Sequence, residues 1–443
     1  MGQVSTGDVV QLFKKVYGGM TDLQPGDYPL QKMLPFSEKQ RVGDSYIEAA
    51  VLTAENGITF GGTGTDAFDI NPAIAGAVRQ ATVSPYTSIL GSVVPWGLLS
   101  RSAGGGEVAF YDGTKHIVRN HLKSHGKFLE IMRMYGQADA GLGYVSYATA
   151  TYRGVSFTNG GGALNGITFT AGVNTTTKNI LLAPGQFAAG IWVGSEGVVV
   201  NQVATASGLV VASGKLVSVN SAYGYLTVDF TPVAATSTTS HKLVFQGMES
   251  AKEMIGLNKI MNTSGSLFGI NNSQYSLWKS TVKANGSLKL KFDNLSDAVA
   301  DLVNNGGLGQ DGNGDLEVML NPRSWARLVQ TEAGRRVYDK SYTESEIKNG
   351  AKKVEFYSEA GSLILHSNRY VKEGEAYLLH LEDWSRSGST EITFKVPGLE
   401  RDLIFPLENQ AAMAFRSFAD QYIFCHAPAR SAIITGINDE SAT

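Results

Sequence analysis

The chain carries a single cysteine, Cys425, in 443 residues. An intramolecular disulfide is therefore excluded, and folding does not depend on an oxidising compartment. Proline is sparse at 12 residues, and no Pro-rich linker is present. Charge is sparse as well: Asp, Glu, Lys and Arg make up 17% of the chain, below the roughly 25% of an average soluble protein. The formal net charge of -3 argues against a general polyanion binder and against a disordered acidic tail. No apolar run reaches about 18 residues, so no membrane-spanning helix is expected. Met1 to Thr21 lacks a long apolar core followed by a small-residue cleavage site, so no secretory signal is expected there.

Catalytic signatures are missing too. There is no Gly-Lys-Ser/Thr, hence no P-loop, and Gly62-Thr63-Gly64 lacks the third glycine of a dinucleotide fingerprint. No Gly-x-Ser-x-Gly exists, so a nucleophile elbow is excluded. His121 and His125 share a helix face at zinc-site spacing, but Leu122 stands where a zincin has Glu and no third ligand is evident; a surface or interface pair is expected. Asp311-Gly312-Asn313-Gly314-Asp315 begins like a calcium loop, then places Leu316 and Pro322 where Gly and Glu are required. Cys425 and His426 are neighbours in an apolar strand and point to opposite faces, so a buried structural cysteine is expected. No enzyme, cofactor or metal is expected.

What is present is glycine, 51 residues of it, and a 43% hydrophobic content that suffices for two or three domains. Residues 7 to 20 read as a short amphipathic helix with Val9, Phe13, Val16 and Tyr17, then Met20, on one face. A helix this short needs a partner surface. Residues 43 to 70 read as a β-hairpin: Ile47, Ala49 and Val51 alternate with their neighbours, Asn56-Gly57 is a two-residue turn signal, and Ile58-Thr59-Phe60 resumes the strand. Gly61, Gly62 and Gly64 add a pliant tip, and few large apolar side chains are expected here, so the hairpin is expected to project.

Residues 107 to 136 hold the strongest helical pattern, with Val118, Leu122, Leu129 and Met132 near heptad spacing and Gly136 as the stop. Gly126 weakens its interior. Lys115, Arg119, Lys123 and Lys127 are spaced by four and drift about 40° per step, forming one slanting basic stripe. It is either a solvated face or a contact for DNA, scaffolding or a neighbour's carboxylates.

Composition then changes. From Val145 to Gly247 only six residues are Asp, Glu, Lys or Arg, about a third of the chain's charge density. Short β-like runs, among them Ile180-Leu182, Ile191-Val193, Val198-Val200, Leu209-Val211, Leu226-Val228 and Leu243-Phe245, predict a separate all-β sandwich or barrel. Beyond Met248 the order is α+β: helices at Asp293–Val303 and after Asn321-Pro322, and strands at Leu316–Leu320, Leu363–Leu365, Ala376–Leu381, Glu391–Val396, Ala412–Phe415 and Ile433–Thr435.

This order resembles the HK97-like capsid family of tailed bacteriophages: an arm, a projecting hairpin, one long helix, and a mixed domain that returns strands late in the chain. Phe128-Leu129-Glu130 and Met134-Tyr135-Gly136 within Gly105–Gly136, Ser266-Leu267-Phe268-Gly269-Ile270, and Leu320-Asn321-Pro322 followed by Trp325 are similar in texture to phage coat proteins. The resemblance implies an α+β, HK97-like fold with an N-terminal arm (1–42), an extended loop with return strands (43–104), a spine helix of the peripheral domain (105–144), an inserted β domain (145–247), and an axial domain with the rest of the peripheral domain (248–443). It implies self-assembly, through hexamers and pentamers, into an icosahedral shell around packaged double-stranded DNA. That shell is a virion capsid assembled in the host bacterial cytoplasm, without a membrane. Further implied partners are a portal and a decoration protein. The arm begins almost at Met1, so scaffolding is expected from a separate protein. Some family members crosslink subunits through a lysine in the extended loop; residues 43 to 78 contain no lysine, so that bond is not expected here. An encapsulin-like compartment is the alternative reading, followed by a β-rich phage tail or adhesion protein, with a hydrolase last.

Overall fold

A computed structural model describes residues 26–37, 44–64, 67–97, 113–145, 150–152, 155–157, 163–164, 167–168, 178–205, 207–232, 241–262, 265–309, 314–336, 354–358, 360–395, 404–408 and 410–439. The arm helix expected at 7 to 20, with Val9, Phe13, Val16 and Tyr17, lies outside them, as does most of the Asp311–Asp315 turn. Among the described residues no helix is long and apolar enough to cross a membrane.

The long helix runs Gly113–Tyr135. It ends where expected, before Gly136, where a side chain would overlap the Met254 carbonyl. Its buried face differs from the expected stripe. Leu129 is fully buried, but Leu122 is 38% exposed, while His121, His125, Glu130 and Arg133 lie inside. Gly126 has a packing reason: a Cβ there would sit 2.8 Å from the Tyr28 ring, whose hydroxyl donates to the Lys123 carbonyl at 2.6 Å. The glycine lets the segment around Pro29–Met33 lie close across the helix.

Against this helix packs a sheet formed by Tyr86–Pro95, Trp384–Thr393, Ile404–Pro406 and Ala412–Cys425. The last strand has 14 residues, and it pairs antiparallel with Tyr86–Pro95 from Ala412↔Pro95 to Gln421↔Tyr86. The sequence places strands near Ala412–Phe415 and at Cys425 without joining them, and the return strands implied for 43–104 are not located at 86–95. The inward residues include Ser417 and Gln421, both fully buried, so the apolar alternation that announces a strand is broken.

A second, mixed sheet has six strands in the order Thr281–Ala284, Ala432–Thr435, Glu375–Leu379, Leu316–Leu320, Ser362–Ser367 and Val354–Tyr357. Helix Phe292–Asn304 buries Leu295, Ala298, Val299 and Leu302, an i, i+3, i+4, i+7 stripe, into the core it shares with this sheet. Helix Pro322–Arg336 starts with proline in its first turn, as read from sequence.

The weakly charged segment forms one six-stranded antiparallel sheet, in the order Gly143–Tyr144, His241–Phe245, Val199–Ala204, Val210–Asn220, Tyr225–Pro232 and Lys178–Leu181. Two small ribbons, Ala150–Tyr152 with Val155–Phe157 and Ala163–Leu164 with Ile167–Thr168, complete its described strands. These strands pair only with one another among the described residues. The expected sandwich or barrel takes the form of one sheet whose end strands meet: Val145 and Leu182 form an antiparallel bridge, and Ala183 N–H donates to the Tyr144 carbonyl at 2.8 Å. Its apolar residues Val200, Leu226 and Leu243 join the cluster that holds Ile131 and Met134 of the long helix. The strand expected at Ile191-Trp192-Val193 is a helical turn, Ala189–Trp192, because Trp192 turns inward and meets Phe245 edge-on at 5.7 Å.

Candidate assembly surface

The hairpin consists of Tyr46–Val51 and Val78–Val83, paired from Tyr46↔Val83 to Val51↔Val78. Its arms continue outward: Leu52 N–H donates to Ala77 O, and Asn56 and Ile74 exchange both backbone hydrogen bonds at 2.9 and 2.8 Å. Asn71 then bonds Thr59 Oγ1 at 2.8 Å and the Ile58 carbonyl at 2.9 Å. Asn56-Gly57 therefore lies within the arms and not at the turn, and Ile58-Thr59-Phe60 belongs to the outgoing side. Gly57 has φ +119, and a Cβ there would meet the Pro72 carbonyl at 2.8 Å. Glycine is required because the arms pass closely, a demand that looks like a turn signal in sequence. Gly61, Gly62 and Gly64 do lie at the distal end, beyond the Thr59–Asn71 bond. From Tyr46 to Thr59 an extended arm reaches roughly 40 Å at about 3.3 Å per residue.

The root is fixed. Tyr46 stacks on Tyr422 at 6.1 Å and meets Phe424 edge-on at 5.3 Å. Its hydroxyl donates to Glu48 Oε2 at 2.7 Å, and His426 Nδ1 lies 2.7 Å from the same oxygen. Leu52, Ala81 and Val83 are buried. Outward of that root the apolar side chains are bare. Phe60 is 87% exposed, Ile70 82% and Val51 72%, and Ile47, Ile58, Phe68, Ile74 and Val78 are exposed as well. This contradicts the expectation of few large apolar side chains in the hairpin. A two-stranded ribbon with unpaired edges and bare apolar residues is marginal alone. Covering these eight side chains is worth on the order of 10 kcal/mol before the cost of association.

The basic stripe does not act as one unit. The Lys115 side chain lies outside the described set, Arg119 is exposed and Lys123 is half-buried. The Lys127 ammonium donates to the Val193 carbonyl at 2.8 Å and to Ser195 Oγ at 2.6 Å, and burial pushes it down to about 8. It ties the long helix to the turn that follows Ala189–Trp192 and is not available to phosphate.

His121 and His125 are not a surface pair. Both rings are buried against the sheet. His121 Nδ1 lies 2.7 Å from Ser92 Oγ and its Nε2 2.8 Å from Ser417 Oγ; His125 Nδ1 lies 2.6 Å from the same Ser417 Oγ and its Nε2 3.0 Å from Ser88 Oγ. Burial lowers both imidazoles, His125 to about 4. Serine between two imidazoles has the atoms of an activated nucleophile, but Ser417 is fully buried and no substrate can reach it. Cys425 is likewise buried, which pushes its thiol up and makes it inert.

Sequence reasoning missed a buried clasp. Glu130 accepts hydrogen bonds from the Leu30 and Gln31 backbone N–H groups at 2.7 and 3.1 Å. Arg133 donates to Glu130 at 3.4 Å, to Gln31 Oε1 at 3.2 Å and to Gln421 Oε1 at 3.1 Å. Arg386 donates to the Leu34 carbonyl at 2.8 Å, to Gln421 at 3.2 Å and to Glu391 at 2.8 Å. The clasp joins the chain at Leu30–Leu34 to the long helix and to two strands. Glu130 and Arg133, three apart in an otherwise apolar turn, were its one local signal.

A scan against protein-family models finds no match to this sequence, and a search of curated proteins finds none either. Solved structures do match. The capsid of cyanophage A-1(L) aligns over 96% of this chain and 97% of its own, with a TM-score of 0.54 and 10% identity. A native GTA particle capsid aligns over 98% of both chains with a TM-score of 0.46 and 8% identity. The capsid of Myoviridae phage XM1 aligns over 98% of this chain and 99% of its own, with a TM-score of 0.43 and 8% identity. The fold is that of the cyanophage capsid chain, the α+β HK97-like arrangement expected from element order.

Proposed function

We propose that this chain is the major coat subunit of a tailed phage, assembling with copies of itself into a closed icosahedral shell around DNA. One observation carries the reading: a long, firmly rooted hairpin bears an apolar face that nothing in the described chain covers. On a fold matching a phage capsid chain end to end, the cover it calls for is a neighbouring copy. The distal residues Phe60, Gly61, Gly62, Gly64 and Ile70 form the intersubunit contact. Repetition around the shell makes individually modest contacts cooperative. The exposed part of the basic stripe, Arg119 and Lys123, faces DNA, a scaffolding protein or a neighbour's carboxylates. The apolar face of the arm, Val9, Phe13, Val16 and Tyr17, docks on an adjacent subunit. Portal, scaffolding and decoration proteins are the further partners, and the particle forms in the host cytoplasm.

The test is electron microscopy of particles made by expressing the chain with its neighbouring genes. Closed shells of uniform size are expected, DNA-filled when packaging components are present. Shells that enclose protein cargo and exclude DNA would transfer the reading to an encapsulin-like compartment. Monomers or fibres alone, with scaffolding present, would overturn both.

A further inference from the structure

The buried serines and histidines under the long helix form one unbroken chain of hydrogen-bonding groups: Ser92, His121, Ser417, His125, Ser88. Its members come from three elements, the helix Gly113–Tyr135 and the strands Tyr86–Pro95 and Ala412–Cys425. At one end Ser88 Oγ donates to the Ala419 carbonyl at 3.5 Å. At the other, the Leu90 carbonyl stands beside the His121 ring. A neutral imidazole has one N–H and one lone pair, and a serine hydroxyl donates once. With both rings neutral the protons can all point one way, and every group along the chain is satisfied.

One added proton still fits. A charged His121 donates towards Leu90 or Ser92 on one side and to Ser417 on the other; Ser417 donates to His125, which donates to Ser88. A second does not. Both ring nitrogens facing Ser417 would then carry hydrogen, and its own hydroxyl proton would have no acceptor. Two cations would also face each other across one oxygen in a dry site, where like charges repel strongly.

We propose that the Ser92–His121–Ser417–His125–Ser88 chain is an acid-released latch: it holds the long helix on the two strands while at most one imidazole is charged, and opens when both are. Among the described residues no nearby carboxylate offsets the second charge. The strand Tyr86–Pro95 turns Ser88 and Ser92 to the rings, and its one titratable residue, Tyr86, packs on the Leu129, Met254 and Ala419 cluster. On the strand Ala412–Cys425, Arg416 and Asp420 alternate onto the face away from Ser417, and Asp420 is held by Thr87 and Ser389. Phe394 is the ring against His121. On the helix itself Arg133 adds positive potential that, with His121, disfavours a charge on His125, while Glu130 is spent on Leu30, Gln31 and Arg133.

The experiment uses the full chain with 15N-labelled histidine and follows two quantities from pH 7 to pH 3.5. Ring nitrogen shifts report the charge on His121 and His125, and hydrogen exchange, corrected for intrinsic rate, reports protection at residues 88–92 and 417–419. Expected are two rings still neutral at pH 6.5 and protection that declines below the ordinary imidazole value of about 6.5, where the opened chain takes up protons that the closed one refuses. Protection falls by up to about a hundredfold per pH unit while both closed-state rings are neutral and by about tenfold once His121 is charged, the slopes that uptake of two protons and of one require. His125→Gln, which keeps a neutral donor and acceptor, should retain protection at pH 4. If that variant does not fold, the wild-type slope and ring shifts still decide. Either ring charged at pH 6.5, a slope below one proton, or protection lost everywhere while the rings stay neutral would overturn the latch.

Discussion

The hairpin and the long helix invert the usual distribution of polarity. The hairpin puts Phe60 and Ile70 in water, whereas the helix puts Glu130 and Arg133 at 0% exposure. Each inversion has a cause that the other lacks. Charge tolerates burial along the helix because two other segments deliver complementary groups to it, one through Gln31 and the backbone of Leu30, the other through Gln421. A buried pair so surrounded keeps its partners even though desolvation lowers Arg133 to about 10 and raises Glu130. The apolar hairpin residues have no such delivery within the chain. Satisfied polarity inside marks what the subunit completes by itself; bare apolar surface outside marks what it leaves to a neighbour.

That contrast can be broken from either side. The largest effect on the subunit's own stability should come from Glu130→Ala. It strands Arg133 and two backbone N–H groups, at a cost of about 3–5 kcal/mol, read from urea denaturation of unassembled subunits. If stability held, the clasp would not be what fastens Leu30–Leu34 to the helix.

Next is the buried Lys372. It donates to Gly141 O at 3.0 Å and Gln186 Oε1 at 3.2 Å and lies 4.4 Å over the Tyr135 ring. Burial pushes it down to about 8, below the ~10.4 of an unfolded lysine. Between those values the unfolded chain binds more protons, so stability should rise with pH, by roughly 3 kcal/mol across the window. Lys372→Met should flatten that rise in denaturation curves taken from pH 7.5 to 10.5; an unchanged slope would assign it to another group.

Lys127 sharpens the comparison along one helix. Lys127→Met should cost about 1–2 kcal/mol by losing its two hydrogen bonds to Val193 and Ser195, whereas Arg119→Ala should stay within about 0.5 kcal/mol. Equal values would return Lys127 to the surface stripe. The smallest effect on the folded subunit belongs to the hairpin. Phe60→Ser combined with Ile70→Ser should shift the denaturation midpoint by no more than about 0.5 kcal/mol of stability and yet abolish shells in sedimentation. Shells of normal yield would free the hairpin tip from the assembly role.

Much of the architecture was legible in the sequence, and the reasons differ by region. Leu316–Leu320 and the helix over Leu295, Ala298 and Leu302 were readable because one apolar face meets one core, which gives a clean period. The strand Tyr86–Pro95 was not, since its inward Ser88 and Ser92 answer histidines 29 to 37 residues away. The hairpin was readable as an element, but its turn was misplaced at Asn56-Gly57, where glycine serves close passage of Pro72. Of the candidate site residues, Gly61, Gly62 and Gly64 lie at the distal end and Arg119 is exposed, while Lys127 is committed within the chain.

The projecting hairpin, the stop at Gly136, the sparse charge from Val145 to Gly247 and the α+β order follow from local pattern alone, because propensity, turn chemistry and periodicity act over a few residues. Which face of the long helix is buried, why it carries His121, His125, Glu130 and Arg133, and which hairpin residues remain bare were settled only by tertiary structure. A polar residue goes inside when a distant segment brings its hydrogen-bond partner, and an apolar one stays outside when none arrives to cover it. Neither can be read from the residue's own neighbours in the chain.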